Sequence, residues 1–195
     1  MAAEKKLLIA ITPENPATNE AKLITAILDS GWDYVHLRHP SATLRDMRAI
    51  IEAIPQRFHN RLRLHGHFEL LNEFNLGGIH LNSRCPEVPP RYNGSVSRTC
   101  HSIEETRRDD SVDFVTLSPV CDSISKSGYK GAFSDDALMS IPQGRVVALG
   151  GVSPDTVQHL KAFPFIGYAV LGYLFSATTP EDISSRCRTF IKEIM

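Results

Sequence analysis

Val146-Val147-Ala148-Leu149-Gly150-Gly151-Val152-Ser153-Pro154-Asp155 is the stretch that decides the fold. Four apolar residues read as a buried strand, and two glycines end it. Ser153, followed by Pro154 and Asp155, then has the chemistry of a helix start: a capping hydroxyl, a proline in the first turn and an acid at the positive end of the dipole. The helix runs through Phe163, and a second apolar run, Ile166–Val170, follows it. Strand, glycine turn, helix and strand make one unit of a parallel sheet whose strands are buried on both faces.

Working outward, the same unit recurs along the chain. Apolar runs at Leu7–Ile11, Asp33–Arg38, Arg61–His65, Gly78–Leu81, Ser95–Cys100 and Phe114–Leu117 read as six earlier strands. Helical spacing separates them. Leu23, Ile24, Ile27 and Leu28 lie on one face of a helix that Gly31 stops, and Leu44, Met47, Ile50, Ile51 and Ile54 make the next such face. Shorter patterns cover Phe68–Phe74 and Ile103–Arg108; Ser134 caps a helix with Asp135 and Asp136 in its first turn, and Pro180–Ile194 closes the chain. Eight units predict a single (β/α)8 barrel spanning residues 1–195, with a doubly wound open sheet as the alternative. At 195 residues the chain is short for a barrel, for which about 250 is typical, so a helix should be reduced. Asn82–Gly94, with Pro86, Pro89 and Pro90, places that reduction after the fourth strand.

Lys and Arg number 21 against 22 Asp and Glu, a net charge of −1. Such a surface has no field to gather nucleic acid or an anionic membrane. The N-terminal apolar run is too short for a secretory signal, and no stretch approaches the roughly 20 apolar residues of a membrane span. Cys85, Cys100, Cys121 and Cys187 form no CxxC pair and suggest neither a disulfide framework nor a zinc site. A reduced, cytoplasmic protein is expected; homo-oligomerisation stays open.

In such a barrel the site forms at the C-terminal strand ends. Alternation puts Tyr34, His36 and Arg38 on one face of the second strand. An inward arginine calls for an anion or for an acid on a neighbouring strand. His65 and His67 share a face of the third strand, His80 lies in the fourth and His101 follows the fifth. Imidazoles there can transfer protons, bind a metal or simply fill the barrel through hydrogen bonds. No carboxylate or cysteine sits at a matching spacing, so no metal site is assigned. Gly150-Gly151 and Leu171-Gly172, at the ends of strands seven and eight, favour a phosphate, because glycine lets backbone N–H groups approach an oxyanion. The long polar loop after strand six, with Ser123, Ser125 and Lys126, has the groups to close over an anion.

These positions carry a family resemblance over the whole chain. Val35-His-Leu-Arg-His-Pro40 looks like a Gln-Leu-Arg-x-Lys strand, Asn75–Leu81 like Gly-Ala-Asp-Gly-Val-His-Leu, and Thr99-Cys-His-Ser102 like Ser-x-His-Ser. Ser118–Lys126 resembles Gly-Pro-Ile-Phe-x-Thr-x-Thr-Lys, and Val147–Val152 and Gly167–Val170 resemble the family's closing Gly-Gly and Gly-Val-Ala-Val blocks. The family is that of thiamine-phosphate synthases and thiazole tautomerases. In the synthases a pyrimidine methyl diphosphate loses diphosphate and the thiazole nitrogen attacks the resulting cation, with Mg²⁺ on the leaving group. The resemblance implies that Arg38, Ser123, Ser125 and Lys126 face the diphosphate. It implies that Gly151, Leu171 and Gly172 hold the thiazole phosphate, and it sets Thr99, His101 and Gly150 among the substrate-binding residues. The ligands implied are small phosphorylated thiazoles and pyrimidines.

Departures accompany the resemblance. The family's Asn-Asp pair falls on His65-Gly66 and its second metal aspartate near Cys85, so Mg²⁺ lacks its carboxylates and no cofactor is evident. The family's glutamine falls on His36, its lysine on Pro40, and the tautomerase proton-shuttling histidine on Pro119. His36, Arg38, His65 and Lys126 are accordingly the candidate catalytic residues, with His36 expected to border the ligand cavity beside Arg38. Three functions compete: a divergent synthase or tautomerase; a non-catalytic protein that kept the phosphate cradle; and another barrel of the sugar-phosphate isomerase or epimerase type.

Overall fold

The computed structural model describes residues 5–108, 111–121 and 133–195. Eight parallel strands close into a barrel in sequence order: β1 (Leu7–Ile11), β2 (Tyr34–Leu37), β3 (Leu62–Leu64), β4 (Gly78–Leu81), β5 (Val96–Cys100), β6 (Phe114–Leu117), β7 (Val146–Leu149) and β8 (Gly167–Val170). β8 returns to β1 with Leu7 opposite Gly167 and Ala10 opposite Val170. A Cβ added at Gly167 would stand 2.1 Å from the Leu7 carbonyl oxygen, so only glycine lets the seam close.

The helices are α1 (Glu20–Asp29), α2 (Leu44–Glu52), α3 (Ile103–Thr106), α4 (Asp135–Met139), α5 (Pro154–Leu160), α6 (Gly172–Phe175) and α7 (Pro180–Ile194). Their starts follow the local chemistry. Thr43 accepts from the Asp46 amide and Ser153 from that of Thr156, each inside a reciprocal capping box, while Thr179 caps α7 ahead of Pro180. No helix lies among residues 82–95, as expected. The reduction also extends further than the sequence suggests. The Phe68–Asn72 segment is 3-10 rather than α, Gln56–Arg61 adds a second 3-10 stretch, and α3, α4 and α6 are little more than one turn each.

Strand alternation separates two packing zones. Leu8, Ala10, Val35, Leu37, Leu62, Leu64, Val115 and Leu117 face outward against the helices, where Leu23, Ile27, Met47, Ile51, Val157, Ile183 and Phe190 meet them. Trp32, fully buried, lies 5.5 Å from the Phe190 ring and fastens α7 beneath α1. The barrel interior is divided. Ile9, Ile11, Phe114, Val147 and Ala169 make an apolar sector from β1 and β6 to β8. Tyr34, His36, Arg63, His65, His80, Ser97 and Thr99 make a polar sector from β2 to β5. No helix among the described residues is long and apolar enough to cross a membrane.

Candidate active site

A cavity of about 720 Å³ opens where the strands end. Its wall includes Arg38, His65, Thr99, His101, Gly150, Gly151, Leu171 and Gly172. Eight residues singled out in the sequence, dispersed over the ends of five strands, thus share one space. Ser123, Ser125 and Lys126 lie outside the described residues. His36 does not reach the wall: it is fully buried, beneath His65. The expectation that His36 borders the cavity beside Arg38 is therefore corrected. β2 ends at Leu37, so His36 sits one level deeper in the barrel than Arg38, which lies beyond the strand.

Arg38 is held from several sides. Its amide donates to Thr12 Oγ1 at 2.8 Å, while the Thr12 amide donates to the His36 carbonyl, so the ends of β1 and β2 are locked together. The next residue, His39, places Nε2 2.8 Å from Glu20 Oε2, and both side chains are buried. Glu20 sits in the first turn of α1, which anchors the chain just beyond Arg38. The arginine's charge is fixed across the whole physiological range. Glu14 is the one carboxylate on the cavity wall among the described residues.

Across the rim, Gly150 and Gly151 adopt φ of 93° and 66°. A Cβ on Gly150 would stand 2.7 Å from Pro119 Cα, so glycine is required by conformation and by space. The turn brings the β7 end against Ser118-Pro119, whose peptide bond is cis. The Gly150 carbonyl accepts from the Cys121 amide and that of Leu149 from the Val120 amide, fixing the start of the segment after β6. Leu171 and Gly172 open α6 on the neighbouring strand.

The histidines divide into distinct environments. His101 Nδ1 is 3.1 Å from the Ser118 carbonyl oxygen. A carbonyl only accepts, so Nδ1 carries a proton and donates it there. His67, in a left-handed turn with φ of 52°, donates from Nε2 to the Ala42 carbonyl at 2.8 Å and is tied to the rim. His36 Nδ1 and His65 Nε2 lie 3.0 Å apart, sharing a proton. His80 spans two hydroxyls, Ser97 Oγ on Nδ1 and Thr99 Oγ1 on Nε2, each at 2.9 Å. Burial pushes all three inner imidazoles down, reinforced by one another and by Arg63 or Arg38, and holds His80 at about 3. They are neutral at pH 7. Below them Arg63 lies between the Tyr34 and Phe114 rings, 4.7 and 4.9 Å from their centres, and bonds to Ser95. Ser95 in turn donates to Asp113. Sequence reading missed Arg63, although alternation sets it on the same face of its strand as His65.

Gly66 and Cys85 come together, with Cys85 Sγ 3.7 Å from where a Gly66 Cβ would be. These are the positions at which the resemblance would set two magnesium aspartates. Here they offer no side chain and a thiol, beside the His65 imidazole. Mg²⁺ prefers hard oxygen donors in octahedral geometry, and this donor set does not fit it.

The thiamine monophosphate synthase family profile matches residues 8–174. The chain belongs to the thiamine monophosphate synthase family. A thiamine phosphate pyrophosphorylase from Bacteroides thetaiotaomicron is 33% identical over 96% of each chain, with a TM-score of 0.84. Another from Pyrococcus furiosus, 18% identical over 98% of each chain, has a TM-score of 0.74 and shows the shared fold. The 3-hexulose-6-phosphate synthase from Salmonella typhimurium, at 15% identity over 96% of this chain and 98% of its own, has a TM-score of 0.68 and likewise shows the barrel alone. No functionally curated protein matches the sequence. The thiamine phosphate pyrophosphorylases this chain resembles are enzymes of the transferase kind.

Proposed function

We propose that the chain is a divergent transferase of thiamine biosynthesis that binds a phosphorylated thiazole and a pyrimidine diphosphate in the cavity above the barrel. The observation that carries this reading is one cavity bordered both by Arg38 and by the glycine turns at Gly150-Gly151 and Leu171-Gly172. Two cationic or N–H-rich stations suit two anionic substrates, and about 720 Å³ lies within the range of small-molecule sites. In this reading the thiazole phosphate meets the backbone N–H groups of the glycine turns, and the diphosphate rests beside Arg38. The guanidinium stays charged as the carbon–oxygen bond to diphosphate breaks, so it stabilises negative charge developing on the leaving oxygen. The cavity wall excludes much of the solvent that would otherwise capture a cationic intermediate. Four cysteines, none of them in a disulfide, accord with a reducing cytoplasm.

One observation favours a second reading, thiazole tautomerisation. His101, held through Nδ1 by the Ser118 carbonyl, lines the cavity together with Pro119, the position at which the resemblance sets the tautomerase histidine. His101 could move a proton there.

Calorimetric titration with thiazole phosphate tests the shared core of both readings. Wild type should bind in the micromolar range. Gly151→Val, and Gly151→Ala as the milder change, should weaken binding at least tenfold, because a side chain at φ of 66° fills and distorts the turn. Unchanged affinity in correctly folded variants would remove the phosphate from this turn.

A further inference from the structure

Three strands bring three imidazoles to one point inside the barrel. The candidate ligand atoms of His36, His65 and His80 all lie within 4.8 Å of one another. We propose that these three histidines form a binding site for a single borderline-soft divalent cation of the zinc type, independent of the substrate reading above.

Donor chemistry comes first. Three imidazoles without a carboxylate or thiolate suit Zn²⁺, Co²⁺, Ni²⁺ or Cu²⁺ and exclude a preference for Mg²⁺. An imidazole binds a metal through the lone pair of one ring nitrogen, and each of these three rings turns a nitrogen toward the others. Distances come next. His36 Nδ1 and His65 Nε2 are 3.0 Å apart. That is close to the edge of about 3.3 Å expected of a tetrahedron with metal–nitrogen bonds of 2.0–2.1 Å. The ion would take the place of the proton these two nitrogens share.

His80 is the third donor, and its neighbours settle its tautomer. The Ser97 hydroxyl donates to the Ile79 carbonyl at 3.2 Å. Its oxygen must therefore accept from His80, which puts the ring proton on Nδ1 and the lone pair on Nε2. Only the Thr99 hydroxyl occupies that lone pair, and a hydroxyl rotates away freely. Ser97 then acts as the outer partner that a metal-ligating histidine ordinarily has on its other nitrogen. Asn82 steadies the same pair of strands, its amide donating to the carbonyls of His65 and His80 at 2.8 and 3.2 Å. His36 Nε2 is buried without a hydrogen-bond partner among the described residues, an arrangement that costs stability in a purely structural cluster. Tight ligation through Nδ1 is a gain against which such a cost is tolerated.

Two features define what the bound state must look like. His65 and His80 stack at 4.3 Å with 22° between their planes, so His65 has to tilt out of the stack for both lone pairs to converge. Arg63 and Arg38 add positive charge to the surroundings. A divalent ion held by neutral ligands beside two guanidiniums requires an anion in its fourth position. His65 lines the substrate cavity, so that position is reached from the cavity.

The test uses the whole protein, stripped with a chelator and titrated with Co²⁺ alone, then with Zn²⁺ in competition. Expected is one Co²⁺ per chain, with the intense visible absorption of four-coordinate cobalt, displaced by Zn²⁺ and untouched by millimolar Mg²⁺. His65→Asn and His80→Asn should each weaken binding at least tenfold, whereas His67→Gln and His101→Gln, on the cavity rim, should leave it unchanged. X-ray absorption of the zinc-loaded wild type, which needs no variant to fold, should show three imidazole nitrogens. Absence of stoichiometric Co²⁺ binding, survival of the absorption in the two folded Asn variants, or fewer than three imidazoles around zinc would each overturn the proposal.

Discussion

Acidification of the metal-free protein should destabilise the barrel through its inner histidines. His80 is held at about 3, against an ordinary value of 6.5, chiefly by burial and secondarily by Arg63. His36 and His65 are displaced in the same direction, again chiefly by burial. In the unfolded chain all three take up protons as the pH falls through about 6.5, while the folded barrel keeps them neutral. Below that value the unfolded state binds more protons, so stability is complete above about pH 7 and falls as the pH drops. Each such group removes about 1.4 kcal/mol per pH unit once well below 6.5, which amounts to about 2 kcal/mol for His80 by pH 5. His36 and His65 add to this in the same direction. Urea unfolding in chelator at several pH values between 7.5 and 5 measures this directly, because the slope of stability against pH counts the protons taken up on unfolding. About one proton from His80 is expected near pH 5.5, with a contribution of the same sign from His36 and His65, and His80→Asn should lower the count by about one. A slope below one proton across the range, or one that His80→Asn leaves unchanged, would refute the reasoning.

Other perturbations separate structure from function. Gly167→Ala forces a Cβ to 2.1 Å from the Leu7 carbonyl at the β8–β1 seam and should cost about 3 kcal/mol or more in urea unfolding. Arg38→Met should weaken inorganic diphosphate binding at least tenfold in calorimetry while moving the melting temperature little, since a charge-assisted contact contributes about 1.5–3 kcal/mol. Coupling of thiazole phosphate with the pyrimidine diphosphate should stay below about 0.1 per second with Mg²⁺ and should not fall when Mg²⁺ is chelated, because Gly66 and Cys85 offer it no carboxylate. A faster, chelator-sensitive rate would show that Mg²⁺ binds elsewhere.

The alternation of side chains along each strand was legible from the sequence, and with it most of the fold. Local chemistry also marked where elements begin and end: Ser134 and Ser153 cap helices because each hydroxyl reaches the amide three residues on. Gly150-Gly151 could be read as a turn because few other residues adopt its dihedrals. These features depend on neighbours in the chain. The depth of a side chain in a closed barrel does not. His36 and Arg38 share a face by alternation, yet strand tilt and the end of β2 bury one and leave the other on the cavity wall. His36 and His65 meet although 29 positions separate them, and His80 joins them from a third strand. Gly66 likewise meets Cys85 only because the turn after β4 folds back over β3. Sequence spacing carries no trace of such meetings, because they are set by the register and closure of the sheet. Alternation determined which residues face inward; only the closed barrel decided which of them touch.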